Sequence, residues 1–434
     1  MYAGTKMLRP ATAMTAAMMM AFAGPSVGLS QTGTTGTGAE VRVGVDAGDL
    51  RGGDQRALQA AVDHVAGLGG GTVYIGPGRY LMRNALTLRD HVRIVGEPGK
   101  TILAVCESRE TRLAVDGDCN ERQITVADES VFRIGDGVAI HDKRNVSGFA
   151  VTTATLTGQV NSRTFRISAP LYLDYMVSDN ATACLAFPVV GGWNVKDVVV
   201  EGLTIDGQCP KTMRLDGCRG GGIYLFQCAA VTIRNCVVRG YYGDGISFQV
   251  SERVTVEDCL CEDNAGLGLH PGSGSQQPVL RRNRSLGNAR DGLFVCWRVK
   301  HGLFEDNEIR ANKGVGISIG HKDTDNLFRN NNILGNNGPG VLFRGESEPM
   351  GAHRNVFEGN RIVDNGLGES GKATRACVII NGHHHDLVFR KNTIGRSQPT
   401  PGGVGILHSK HAGDLQATGN QFLNVQTELQ TDDR

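Results

Sequence analysis

The chain predicts an all-β solenoid, a stack of short coils whose strands pair in parallel, and three observations predict it. A glycine followed by an aliphatic residue recurs at Gly222-Ile223, Gly245-Ile246, Gly268-Leu269, Gly292-Leu293, Gly316-Ile317 and Gly340-Val341, at spacings of 23, 23, 24, 24 and 24 residues. Such a period is the signature of a repeat architecture. A second beat places Asn235, Asp258, Asn283, Asn307 and Asn331 within the same repeats. Between the beats the apolar residues alternate, as in Ile246 and Phe248 or Val254 and Val256, the period of a half-buried strand; no helical period fits. Segments this short cannot bury an apolar face alone, so coil must stack on coil, with strands about 4.8 Å apart. The recurrent Asn residues, with Asp258 among them, read as a stacked ladder at one corner, their side chains satisfying backbone groups in the turn.

Residues 1–30 carry Lys6 and Arg9, then an apolar stretch over 11–23, then small residues. That reads as a secretory signal peptide, too short in its apolar part to span a bilayer, and the chain is expected to be exported. Residues 31–45 read as a flexible leader rich in Thr and Gly. Over 46–103 an N-terminal capping helix and the first coils are expected. Asp54 is the candidate N-cap, Ala57, Leu58, Ala61, Val62 and Val65 share one helical face, and Gly67 follows the end. A solenoid needs such a cap because its terminal coil exposes apolar side chains and unpaired strand edges. Residues 104–190 lose the beat and read as a β insertion of about seven strands that covers the first coils. From 191 to 434 the solenoid continues, with 346–353 and 364–375 as insertions, which in a solenoid become loops on one face.

The segment from Asp54 to Met82 (DQRALQAAVDHVAGLGGGTVYIGPGRYLM), followed by Leu86 to Leu103 (LTLRDHVRIVGEPGKTIL), resembles the N-terminal region of pectate lyase superfamily proteins. The resemblance covers about 50 residues by motif, and the later coils agree by period. It implies a right-handed parallel β-helix and an activity on polysaccharides. Other marks of related proteins are missing. The Asp-Asp pair of β-helix polygalacturonate hydrolases does not follow Gly243-Asp244-Gly245, which disfavours an inverting two-carboxylate hydrolase. The Asp-Pro-His motif of mannuronan epimerases is absent too, although Leu269-His270-Pro271 occupies a comparable kind of position. No pectate-lyase calcium set matches residue by residue.

With 45 basic and 44 acidic residues the chain is nearly neutral, and nothing points to nucleic acid or a membrane surface as partner. Eleven cysteines in an exported chain suggest some pairing, Cys106 with Cys119 and Cys209 with Cys218, with at least one thiol left over. Cys236 and Cys259 share one repeat position, where they can stack or bond.

On a β-helix a site must come from matching offsets on neighbouring coils. Counted from the beat glycine, Trp297 and His321 fall at the same offset; Lys300 and His301 face Thr324 and Asp325 one coil on; His270 alternates with the inward Leu269; Arg344 lies near His321. These residues, with Lys322 and Asp323, gather within roughly 15 Å of stack at strand spacing. An aromatic face for a pyranose ring, cations for uronate carboxylates and a group able to take a proton suit a sugar cleft. In β-elimination a base removes the proton at C5 and a cation meets the charge that builds beside it. His270, Lys300 or His321 is the candidate base. Trp297, His301, Lys322 and Arg344 are candidate substrate contacts, with Arg344 or a Ca²⁺ ion as charge partner and Asp323 and Asp325 as candidate metal ligands. Asp244 and Asp291 read as turn formers, and His383, His384 and His385 as surface, since three adjacent residues cannot all face one ion. The expected function is a lyase on a uronic-acid-containing glycan. The alternatives are a hydrolase or epimerase on the same face, or a non-catalytic glycan-binding or envelope-structural protein.

Overall fold

The computed structural model describes residues 38–208, 215–366 and 375–432. The expected signal peptide, the first part of the leader and Cys209 lie outside the described residues. Strands dominate, and the described stack has three parallel faces: sheet A of 13 strands, sheet B of 11 and sheet C of 11. One coil takes a strand from each, as in Thr255–Glu257 in A, Leu260–Glu262 in B and Leu269–Gly272 in C. Register is kept from coil to coil, for example Val256 opposite Leu280, Leu280 opposite Phe304 and Phe304 opposite Phe328. A constant register puts like residues above one another, and the core becomes a set of columns. In one of them Phe304, Phe328, Phe357 and Phe389 stack face to face at 4.6, 4.4 and 4.8 Å between ring centroids, all fully buried.

The capping helix, Gln55–Gly67, begins at Asp54, whose carboxylate accepts from Arg56 N, and buries Leu58, Ala61, Val62 and Val65. It packs on the strands Ala39–Gly44 and Gly71–Ile75. The end of the expected flexible leader is thus ordered: residues 39–44 form the strand that pairs with Gly71–Ile75. Its alternation of Val41 and Val43 with Glu40 and Arg42 carries the strand signal that the preceding Thr/Gly run obscures.

The chain leaves the stack after the B strand Thr101–Val105 and re-enters at the C strand Val190–Trp193. Between them lies a six-stranded antiparallel sheet, Glu110–Arg112, Thr182–Leu185, Gly137–His141, Thr152–Gln159, Thr164–Ile167 and Gln123–Thr125 in spatial order. It is an enlarged B-to-C turn. Arg83 of the stack clamps Asp136 of this sheet through two hydrogen bonds, Nε to Oδ1 at 2.8 Å and Nη2 to Oδ2 at 2.6 Å, and Asn84 donates to Thr155 Oγ1 at 2.9 Å.

Asn ladders hold two corners. At the A-to-B turn Asn283, Asn307, Asn331, Asn360, Asn392 and Asn420 each accept, on Oδ1, from the backbone N of the residue one coil below. At the B-to-C turn Asn288, Asn312, Asn336 and Asn365 do the same. Asn235 and Asp258 are not rungs with Asn283. They precede the rung position with φ of 52° and 53°, and Cys236 and Cys259 occupy it, Cys259 N donating to Asn283 Oδ1 at 3.0 Å. Asp258 stands 25 residues before Asn283, one more than the 24-residue repeat that separates Cys259 from Asn283, and its equivalent on the next coil is Arg282, with φ of 54°. Asn307→Ala removes the acceptor for two donors of Asn283, its backbone N at 3.0 Å and its Nδ2 at 3.1 Å. We expect a loss of about 3 kcal/mol of stability in chemical denaturation.

The expected disulfide between Cys106 and Cys119 does not form: both are free, one buried and one exposed. Cys119 Sγ instead donates to Tyr172 O at 3.4 Å within the inserted sheet, while Cys106 follows a strand of the stack. Cys218 is also a free thiol, and Cys236 and Cys259 stack unbonded.

Candidate functional site

The outer side of sheet C is flanked by the enlarged turns, and the residues singled out above divide between two places on it and one corner beside it. The first place is the edge where sheet C turns toward sheet A. Trp297 and Arg298 follow one C strand in left-handed conformation, φ 57° and 67°, and His321 and Lys322 repeat this one coil on, at 41° and 63°. Paired left-handed residues without glycine are costly and persist only where the surroundings hold them. Their effect is to lay the Trp297 indole on the His321 ring, 4.6 Å apart and 5° from parallel, with the indole 44% exposed. Behind His321 stands the buried carboxylate of Glu346, its Oε1 against the imidazole Nδ1. That contact is an ion pair without hydrogen-bond geometry; it places a carboxylate beside the ring and leaves the other nitrogen for a ligand. Gly320 makes it possible, since a Cβ there would lie 2.8 Å from Glu346 Oε1 and 2.9 Å from Arg344 Nε.

Arg344 completes this group. Its guanidinium lies 4.5 Å above the Phe294 ring and donates to Ser318 Oγ at 3.0 Å, Val295 O at 3.0 Å and Asp323 Oδ2 at 3.3 Å. Of the five N–H donors of a guanidinium, those bonds leave the Nε–H and one on Nη1. They also hold the planar fork still, which is what recognition of a carboxylate requires.

His270 lies lower on sheet C and is buried, 3% exposed. Its Nδ1 is 2.8 Å from Asp244 Oδ2, and its ring meets Phe294 edge-on at 5.4 Å. Gly217 closes over the pair so tightly that a Cβ would come 1.9 Å from Asp244 Oδ2 and 2.3 Å from His270 Nδ1. Burial works against the imidazolium, but the bond to Asp244 outweighs it and raises the His270 pKa to about 10. Its Nδ1 is taken by Asp244, and the pair is enclosed beneath Gly217. Asp244 both forms the expected turn, accepting from Leu267 N at 2.9 Å, and holds His270. Asp291 remains a turn former, its Oδ1 accepting from Val315 N at 2.8 Å.

Lys300 and His301 sit farther round the corner, Lys300 bridged to Gln276 and Thr324 and His301 exposed with φ of 56°. Among the described residues neither makes a hydrogen bond, ion pair or ring contact with Trp297, His321 or Arg344. Lys322 belongs to the left-handed pair and is exposed.

The expected metal ligands do not form one set. Asp323 is fully buried and spends its carboxylate on Val299 N at 2.9 Å, Gly320 N at 3.0 Å and Arg344. It is a rung of the C-to-A corner, where Ser275 below and His384 above make the same bond to the preceding coil. Asp325 pairs with Arg354 through bonds of 2.6 and 2.9 Å. Neither belongs to a group of three metal-ligating side chains among the described residues.

Of the three adjacent histidines, only His384 is buried: Nδ1 accepts from Ala352 N at 2.8 Å and Nε2 donates to Arg344 O at 2.9 Å. Burial pulls its pKa from 6.5 down to about 4. Protons therefore bind the unfolded chain more readily between these values, and stability contributed by neutral His384 is lost as pH falls through that window. Asp323, raised by burial to about 7, titrates in the opposite sense, so the wild type must be compared with His384→Gln. We expect thermal melts to show an additional loss between about pH 6.5 and 4 in the wild type only. His385 and His353 stack at 3.6 Å beside Glu348. His353 Nδ1 accepts from His385 N at 3.2 Å, which leaves its Nε2 facing Glu348.

Sequence reasoning brought Trp297, His321 and Arg344 together and did not place Glu346, Ser318 and Phe294 beside them. Ser318 and Phe294 stand at the outward offset that singled out His270, so register could have found them. Glu346 could not be found this way. A register shift between Phe343 and Glu346 carries it off the repeat.

The model of the right handed beta helix region matches residues 193–350 and 299–422. No curated protein matches the chain in sequence. Among solved structures it is similar to the A-module of the Azotobacter vinelandii mannuronan C-5 epimerase AlgE4, at 17% identity and a TM-score of 0.53, covering 90% of this chain and 100% of that one. The A-module of AlgE6 from the same organism gives 16%, 0.52, 90% and 100%. At these identities the likeness is one of fold.

Proposed function

The chain belongs to the right-handed β-helix family, and on that frame we propose that it is a polysaccharide lyase that cleaves a uronic-acid-containing glycan by β-elimination at the Trp297, His321 and Arg344 group. The observation that carries this reading is the convergence at one edge of sheet C of an exposed indole, an imidazole with the Glu346 carboxylate beside it and a guanidinium with unspent donors. The indole receives the flat face of a pyranose ring. Arg344 holds the uronate carboxylate, which makes the C5 proton more acidic and meets the charge that develops as it leaves. His321 takes that proton and Glu346 stabilises the imidazolium formed. The electron pair of the C5–H bond becomes the C4–C5 double bond, and the C4–O4 bond breaks toward the leaving sugar, whose O4 is protonated by solvent.

An epimerase shares the first step and differs in returning a proton to C5 from the other face; the A-modules named above are C-5 epimerases on mannuronan, which keeps this as the second reading. Ultraviolet absorbance separates the two. The protein incubated with a panel of uronate-containing polysaccharides is expected to generate the absorbance of a C4–C5 unsaturated product from at least one of them. Conversion without absorbance would select the epimerase or a hydrolase, and binding without conversion a non-catalytic protein.

A further inference from the structure

The chain has two tryptophans, and the second reading surface is built around the other one. Trp193 ends the C strand Val190–Trp193, four coils below Trp297, roughly 19 Å at strand spacing. A Cβ at Gly191 would come 2.4 Å from the Trp193 ring, so the glycine lets the indole lie down along its own strand. The ring is tilted against Tyr224 at 6.0 Å.

Beside it, where the inserted sheet meets the first coils, is a cavity of about 310 Å³ lined in part by Thr87, Thr153, Thr155, Tyr172, Phe187 and Trp193. None of its lining side chains is charged. Tyr172 is fixed by the Arg219 guanidinium at 4.2 Å from its ring, and Thr155 by Asn84. The hydroxyls of Thr87 and Thr153, the Tyr172 phenol and the Trp193 indole N–H have no hydrogen-bond partner among the described residues. Two immobilised aromatic faces edged by unspent hydroxyls match a sugar ring, which has apolar C–H faces and a polar rim. The volume lies at the small end for small-ligand sites, enough for a sugar unit or two and not for a run of polymer. The nearby Arg219 guanidinium does not line the wall but lies against the Tyr172 ring and donates to Phe149 O, so an anionic uronate finds no charged side chain in the cavity to offset its desolvation.

We propose that this cavity is a subsite for an uncharged pyranose unit, so that the glycan is a heteropolymer with a neutral sugar a few units from the uronate at Arg344. The statement about the uronate rests on the function proposed above; the neutral-sugar site does not. Trp297→Phe leaves Trp193 as the sole indole, and its fluorescence is titrated with glucose, galactose, mannose and their disaccharides, and separately with glucuronate and galacturonate. The expected result is a saturable change with at least one neutral sugar and none with the uronates, with affinity reduced roughly fivefold by Thr153→Val. Silence with every neutral sugar, or an equal response to uronates, overturns the subsite. Trp193→Phe, which leaves Trp297 as the reporter, is titrated in parallel with uronate oligosaccharides. A response there with a silent Trp193 removes only the subsite, whereas a neutral-sugar response at Trp193 with a silent Trp297 keeps the subsite and removes the uronate reading.

Discussion

Replacing His321 by Ala is expected to lower kcat on a uronate-containing glycan by about 100- to 10,000-fold, the range for loss of a positioned general base. KM should change little, because the proposed reading assigns the sugar face to Trp297 and the carboxylate to Arg344. The two neighbours supply the contrast. Trp297→Ala removes a stacking surface and should act mainly on KM, by roughly tenfold. Glu346→Gln keeps the shape beside the ring and loses the charge that stabilises it once protonated, so its effect should fall on kcat. His270→Gln is the discriminating control: if proton abstraction belonged to the buried His270 and Asp244 pair, it would be the silencing variant and His321→Ala would not. Steady-state kinetics on the four variants read this directly.

The largest effect on stability is expected from Phe328→Ala. Phe328 is fully buried in the middle of the phenylalanine column, between Phe304 at 4.6 Å and Phe357 at 4.4 Å. Truncation opens a cavity that its neighbours, held in register by the ladders, cannot close, and the cost should be about 3–5 kcal/mol. In a solenoid each coil is stabilised chiefly by the coils on either side. The loss should therefore concentrate in the coils around residues 304–357, and amide exchange should show protection falling there before it falls at the capping helix.

Much of the fold was legible because a repeat states its own geometry. Gly245 and its equivalents mark where the chain enters sheet C, and the alternation around Phe248 and Val256 marks what faces inward. The capping helix could be read because Asp54 and the Leu58, Ala61, Val62 and Val65 face are local signals. Legibility fails where a similar residue stands one place off the rung or where a strand follows a low-complexity run. The slip between Asp258 and Cys259 misassigned two ladder rungs, and the strand over 39–44 was hidden behind a low-complexity run.

At the site, counting offsets placed Trp297 beside His321 because the coils are in register there. It could not tell that Asp323 points inward to cap a turn, that Asp244 reaches His270, or that a register shift brings Glu346 behind His321. Those facts depend on side-chain direction at corners. A periodic sequence specifies its strands far better than its turns, since the latter carry left-handed residues of many types, Trp297 and His321 among them.

The most direct test of the central claim follows the C5 proton itself, by proton NMR of the glycan during turnover by the wild-type protein and by His321→Ala. Removal of that proton by His321 predicts that the H5 resonance of the cleaved residue disappears as an olefinic H4 resonance grows in the wild type, and that neither change occurs with the variant. Chain shortening with H5 retained and no olefinic signal, or an undiminished rate in His321→Ala, would contradict it.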